Sequence, residues 1–220
     1  MTNQSPAGSP VTGPDGRNSG VDVHSALPCL ATRDLAARLK VGDIVFIRIP
    51  VLPFRRVAAA TNTWTNHVGI VVDVSGAEPS IAESKFPFSC TSALSRFIGR
   101  SEGRRAAVSR LNEPLTLPQQ HAVAAAARNR TGIFYDTGFN LFSRRQFCSR
   151  FVREVLHEAT GTLIGEVESF SALFARNPQA DLSFWRLWFF GRIPWARQTV
   201  TPVSLLQSPH LRCVFDGSVR

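Results

Sequence analysis

An α+β domain, with an antiparallel sheet packed against helices, is the fold class this sequence specifies. The first half carries β-branched runs at 44–49 (IVFIRI) and 67–74 (HVGIVVDV), which suit a buried sheet. The second half carries alanine-rich and amphipathic stretches at helical spacing, after residue 116 and after residue 147. With 220 residues, the chain is long enough for one domain with a sizeable core.

Residues 1–28 are rich in Pro, Gly and Ser and nearly lack large apolar side chains, so they are expected to form a disordered tail before a domain over 29–220. Thr32, followed by Asp34, Leu35, Ala36 and Leu39, predicts a short helix capped by that threonine. Gly42-Asp43 opens the first strand. The stretch 50–65, with Pro50, Pro53 and Arg55-Arg56, predicts a long connection lining a surface or site. The strand from His67 should pair with 80–84 (SIAES) across a turn at Ser75-Gly76, and Val108 to Leu111 adds another strand. Thr116-Leu117-Pro118-Gln119 has capping-box spacing with proline in the first turn of a helix ending near Arg130. Phe147, Phe151, Val152, Val155, Leu156 and Ala159 recur at helical spacing until Gly161 stops the helix. A last short helix fits Phe170 to Arg176, ended by Asn177-Pro178.

A hydrophobic fraction of 44% excludes a disordered chain, and no apolar run approaches the about 18 residues that a membrane span needs. Residues 1–28 show no basic start followed by an apolar stretch, so a cytoplasmic location is expected unless export follows a signal-independent route. The 25 basic residues against 16 acidic ones give a net charge of +9, and all but Lys40 and Lys85 are arginine. Those arginines are scattered, so a dispersed solvated surface is expected and no nucleic-acid partner. Cys29, Cys90, Cys148 and Cys213 form no C-x-x-C and no zinc spacing, and three of them are expected to be small buried hydrophobes. With no glycine-rich phosphate loop, no G-x-S-x-G and no ligand spacing, no metal and no cofactor is expected. The sequence carries no sign of an oligomeric state.

Chemistry concentrates at Cys148, which begins the helix after 143–146 (SRRQ). A thiol there faces unpaired backbone N–H groups and the positive end of the helix dipole, both of which favour the nucleophilic thiolate. His67 suits the role of its base, because it begins the buried strand after Thr65-Asn66. An imidazole in that role needs an acceptor on its second nitrogen. Glu83 lies on the adjoining strand: a turn centred on Ser75 faces it to His67, and a turn shifted by one or two residues leaves the pair diagonal but in reach.

Several segments carry a family resemblance: 41–46 (VGDIVF), 64–71 (WTNHVGIV), 82–84 (AES), 135–139 (YDTGF), 147–152 (FCSRFV), 184–195 and 199–202. In this order and spacing they are similar to the circularly permuted NlpC-type papain-like hydrolases of the YiiX/YebB-like group, most of all its YebB-like subgroup. The resemblance runs over about residues 40–215. It implies a permuted papain-like fold in which His and Glu precede Cys, with Cys148 as nucleophile, His67 as base and Glu83 orienting it. Such a site also needs an oxyanion donor. The backbone N–H of Cys148 is one candidate; Gln146, Tyr135, Asn66 and Trp64 are side-chain candidates for that role or for substrate contact.

The expected function is therefore a cysteine hydrolase or acyltransferase that opens an amide, ester or thioester through an acyl-enzyme on Cys148, with a peptide or an acyl/lipid substrate. The competing expectation is a non-catalytic module of the same fold that binds anionic lipid or nucleic acid through its basic surface. The aromatic stretch 184–195 suits a packed core helix and turn; it equally suits an apolar groove or a peripheral membrane contact through Trp185, Trp188 and Trp195.

Overall fold

The computed structural model describes residues 1–2 and 27–220, so the tail expected over 1–28 lies largely outside the described residues. Its main sheet has seven strands in the order β1 (Cys29–Leu30), β9 (Leu211–Val219), β6 (Arg105–Leu111), β2 (Ile44–Ile47), β3 (His67–Asp73), β4 (Ser80–Glu83) and β5 (Cys90–Ala93). β1 runs parallel to β9, and the other neighbours are antiparallel. Ile44, Phe46, Val68 and Ile70 pack on one face beneath α4 (Leu117–Arg128) and α5 (Cys148–Thr160). Val45, Ile47 and Val71 pack on the other with α1 (Thr32–Ala36) and α3 (Leu94–Gly99). Central strands covered on both faces read as continuous apolar runs, which is why β2 and β3 stand out in the sequence.

A third apolar cluster joins α2 (Leu52–Ala60), α6 (Phe170–Arg176) and α7 (Leu182–Trp188). A two-stranded sheet of β7 (Val167–Ser169) and β8 (Gln198–Val200) and the short α8 (Pro202–Leu206) complete the molecule. The α+β class is the observed one. The capping box is present: Thr116 Oγ1 accepts from the Gln119 amide at 3.4 Å, and Gln119 Oε1 accepts from the Thr116 amide at 3.0 Å. Gly161 ends α5 in the left-handed region at φ 75°.

Other elements differ from expectation for identifiable reasons. Thr32 is the first residue of α1 rather than its cap, because its hydroxyl donates to the carbonyl of Arg220 at 3.1 Å. The connection 50–65 contains α2, with Pro53 in the first turn, where no N–H is required. β5 and α3 arise from 90–99, a stretch of small polar and apolar residues without clear periodicity. β6 begins at Arg105 and pairs along its length with β9, whose run of Arg212, Asp216 and Gly217 conceals a strand. Cys29 and Cys213 are exposed and Cys90 is half-buried, so the packing expected of three cysteines is not seen; Cys29 and Cys213 lie on β1 and on an exposed stretch of β9.

The β3–β4 register pairs Ile70 with Ala82 and Val71 with Ile81. It puts Gly69 level with Glu83, so His67 and Glu83 stand diagonally on the same face. A Cβ on Gly69 would fall 2.6 Å from Ile81 Cγ2 and 2.9 Å from Phe97 Cε2. The missing side chain is what lets Phe97 of α3 pack into this face, its ring centroid 5.7 Å from that of His67. Gly69→Ala is therefore expected to cost about 1–3 kcal/mol by overpacking. Urea denaturation checks it, and an unchanged midpoint would contradict the packing argument.

Candidate active site

Phe147 precedes α5 in extended conformation and is buried, which fixes Cys148 as the first helical residue. The segment before the helix is itself pinned. The Gln146 amide donates to the Phe134 carbonyl at 3.0 Å, and the Asp136 amide donates to the Gln146 carbonyl at 2.7 Å. Ser84, just beyond β4, donates its hydroxyl to the same Gln146 carbonyl at 3.0 Å. The carboxylate of Asp136 accepts from the amides of Gly138 and Asn140, both at 2.9 Å, and so folds the turn after Tyr135. These bonds hold Tyr135 beside the start of α5.

His67 Nε2 lies 2.7 Å from Glu83 Oε2, and both side chains are fully buried. That leaves Nδ1, which makes no direct hydrogen bond, as the ring nitrogen available to the neighbouring Cys148. Glu83 also accepts from Ser92 Oγ at 2.7 Å and from Arg100 Nη2 at 2.7 and 2.8 Å. The guanidinium of Arg100 in turn lies 5.0 Å over the Phe97 ring.

The charges follow from these contacts. Burial alone would lower the His67 pKa, but Cys148 and Glu83 beside it favour the charged imidazole, outweigh burial and raise the group from 6.5 to about 9. Burial alone would raise Glu83; the bond and charge of His67, then Arg100, reverse this and lower it from 4.5 to about 2. Tyr135 is pushed well above 10, by burial first and then by the charge of Cys148 and a hydrogen bond to it. The tyrosine stays neutral, with its hydroxyl beside both the sulfur and the backbone N–H of Cys148.

Cys148 lines a narrow pocket whose walls are supplied by Phe54, Val57, Tyr135, Leu173, Phe174 and Trp185 among others. The sequence candidates thus divide. Cys148, His67, Glu83 and Tyr135 come together; Asn66 lines the cavity, but its side chain accepts from the Ile49 amide at 2.8 Å and donates to the Ile49 carbonyl at 3.0 Å. Gln146 and Trp64 do not line the cavity: Gln146 Nε2 donates to Glu154 at 3.0 Å, and Trp64 carries the Arg105 guanidinium 4.2 Å above its ring. Ser92 and Arg100 were not legible as site residues, because they lie on β5 and just past α3 respectively, elements which the sequence did not reveal.

The aromatic stretch resolves as well. Trp185 is buried in the third cluster, while Trp188 stacks on Phe184 and donates Nε1 to the Thr137 carbonyl at 2.9 Å. Trp195 is 43% exposed, and the outermost apolar side chains here are Leu187 and Phe190. No helix among the described residues is long and apolar enough to cross a membrane.

A cysteine at a helix start, facing a histidine on an antiparallel sheet, defines the papain-like class, here with histidine and glutamate ahead of cysteine in the chain. Within that class the chain belongs to the permuted papain-like amidases of the YaeF/YiiX type, the C92 family, whose model matches residues 38–215. It is 27% identical to the uncharacterized protein YiiX of Escherichia coli (strain K12) over 173 residues, 79% of this chain and 84% of that one. Its fold is that of a crystal structure described as metalloprotein yiiX from Escherichia coli O157:H7, with a TM-score of 0.76 at 24% identity, covering 82% of this chain and 99% of that one. Among the described residues here, no three His, Cys, Asp or Glu side chains gather as a metal site would require.

The ion pair sets a pH window. His67 contributes stability that is complete below pH 6.5 and lost as pH rises through about 9; Glu83 contributes stability that is complete above pH 4.5 and lost as pH falls through about 2. Their joint contribution is greatest between pH 4.5 and 6.5. In Glu83→Gln the acid limb should vanish and the basic limb should move to lower pH, measured by denaturation across pH and by NMR titration of the imidazole. A basic limb that stays in place would contradict the role of Glu83 in holding the proton on His67.

Proposed function

We propose that the protein is a cysteine hydrolase in which Cys148 attacks an amide, ester or thioester carbonyl and carries the acyl group as a thioester. The observation that carries this reading is the division of labour on His67: Nε2 is bound to a buried carboxylate, while Nδ1 is left to the thiol at the start of α5. His67 takes the proton of the Cys148 thiol, so that the sulfur attacks as the thiolate. The thiolate adds to the carbonyl carbon, and the resulting oxyanion takes the place beside the Cys148 N–H and the Tyr135 hydroxyl. His67 gives its proton to the leaving group as the carbon–leaving-group bond breaks. Neutral imidazole then takes a proton from water, whose oxygen attacks the thioester; the S–C bond breaks and the thiolate returns. Another nucleophile in place of water would make the same cycle an acyl transfer.

Glu83 supports this cycle by keeping the imidazole oriented and cationic, and Arg100 supports it by keeping Glu83 ionised. No single observation favours the non-catalytic alternative.

An activated acyl ester should leave a stoichiometric acyl adduct on Cys148, located by peptide mass spectrometry. The adduct should be absent in Cys148→Ala, and labelling that persists in that variant would refute the assignment. Tyr135→Phe removes one oxyanion donor and should lower kcat by about 10²-fold with the fold intact. Full activity in that variant would leave the backbone N–H as the sufficient donor.

A further inference from the structure

We infer that the chain docks on anionic lipid bilayers through an exposed face of aromatic rings and arginines, whose most prominent point is the turn after α7. The inference goes beyond the hydrolase reading and does not rest on it.

The first observation is where the exposed rings lie. Every exposed phenylalanine and the exposed tryptophan among the described residues fall on three segments: Phe86 and Phe88 after β4, Phe134 and Phe142 between α4 and α5, and Phe190 and Trp195 after α7. These segments are bonded to one another. Phe88 and Phe134 form an antiparallel bridge with ring centroids 6.5 Å apart, and the Tyr135 amide donates to the Pro87 carbonyl at 2.9 Å. The Leu141 amide donates to the Gln198 carbonyl at 2.9 Å, and Arg197 Nη1 donates to the Gly138 carbonyl at 2.9 Å. The first bonds join segment one to segment two, and the second bonds join segment two to segment three. The exposed rings therefore share one continuous stretch of surface, far more apolar than scattered single residues would make it.

The second observation is charge. Over residues 84–90, 131–147 and 182–199 the one acid is Asp136, which is buried and spent on the amides of Gly138 and Asn140. Arg144, Arg145, Arg186 and Arg192 on the same segments are exposed and meet no carboxylate among the described residues, whereas Arg56 and Arg150 are paired with Asp181 and Glu154. The third is backbone conformation. After α7 the chain turns with Phe190 at φ 53° and Gly191 at φ 93°. That region suits glycine or asparagine and penalises a phenylalanine, and at 99% exposure the ring recovers nothing by packing on its own chain; Leu187, 80% exposed, stands close by in sequence. A bilayer surface answers all three. Rings and Leu187 enter the boundary between headgroups and acyl chains, and the guanidiniums take the lipid phosphates. Side chains projecting from separate turns suit a fluid surface that closes around each of them, where a folded protein would need a matching hollow for every one. A single-stranded nucleic acid could stack bases on the rings but gains nothing from Leu187.

The test is flotation of the full chain with vesicles of phosphatidylcholine, alone or mixed equally with phosphatidylglycerol. Binding should be at least about tenfold tighter to the anionic vesicles and should weaken as salt is raised. Arg186→Gln with Arg192→Gln should weaken it about 25-fold, at roughly fivefold for each arginine. Arg33→Gln with Arg96→Gln makes the same change of charge on α1 and α3, against the opposite face of the main sheet, and should leave binding nearly unaltered. Leu187→Gln with Phe190→Asn keeps a good helix former in α7 and a residue that tolerates the left-handed turn; it should weaken binding at least about tenfold while the melting curve stays in place. No binding, or equal binding to neutral and anionic vesicles, would overturn the inference. Equal losses from the two arginine pairs would do the same, as would full binding by the Leu187 and Phe190 variant. A single-stranded oligonucleotide that displaces the vesicles, and whose own binding ignores the Leu187 and Phe190 changes, would assign the face to nucleic acid instead. These readouts need no turnover, so a negative result leaves the hydrolase reading in place, and a Cys148 that fails to acylate leaves the docking face in place.

Discussion

A single carboxylate with no exposure, Glu83, is the constraint on which this end of the molecule depends. An ionised group withdrawn from water loses several kcal/mol of solvation, which only well-placed partners restore. Here they come from three further elements: His67 from β3, Ser92 from β5 and Arg100 from the end of α3. The diagonal register of β3 on β4 brings the imidazole to the carboxylate, and Gly69 between them opens the space for Phe97. Phe97 then supports the Arg100 guanidinium with its ring, so the neutralising charge rests on the same packing that seats the histidine. Sheet register, glycine, aromatic and arginine are parts of one solution to one buried charge.

The thiol reaches this pair through a separate set of bonds. The carbonyl of Gln146 accepts from the Asp136 amide and from the Ser84 hydroxyl, joining the lead of α5 to the Tyr135 segment on one side and to the end of β4 on the other. Cys148 begins α5 two residues later, so its backbone is referenced to the strand that carries Glu83. Gln146 shapes the site through its carbonyl, and its side chain turns away to Glu154. Residue type alone suggested a side-chain donor; the backbone contribution has no signature in sequence.

Elements with a strong local cause were legible. The two-sided burial of β2 and β3, the Thr116–Gln119 box and the stop at Gly161 all leave marks within a few residues. Cys148, His67 and Glu83 could be singled out because a helix start and a hairpin are short-range geometry. Arg100 could not, since an arginine among many becomes special only when a tertiary contact puts a carboxylate beside it. α2 was masked by its prolines, and β9 by charged and glycine positions that its partner β6 tolerates. The aromatic stretch remained undecided between core and surface for a different reason. Its composition fits both, and α2 and α6, which assign Trp185 to the interior and leave Leu187 and Phe190 outside, are remote in the chain.

The same distinction alters the meaning of the arginine excess. A net charge of +9 suggests a polyanion surface, yet the most deeply buried acids are matched by arginine: Asp43, 1% exposed, takes Arg110 Nε at 2.6 Å and Nη2 at 2.7 Å, and Glu83 takes Arg100. A planar, permanently charged guanidinium suits such places better than an ammonium, because it satisfies both carboxylate oxygens and stacks on aromatic rings. At Glu83 the effect extends to chemistry. An ionised Glu83 keeps His67 cationic beside the sulfur, and the apolar cavity on the far side of Cys148 offers that ion pair little water to screen it. Arginine therefore acts here as an internal counter-ion to a buried carboxylate, two contacts removed from Cys148.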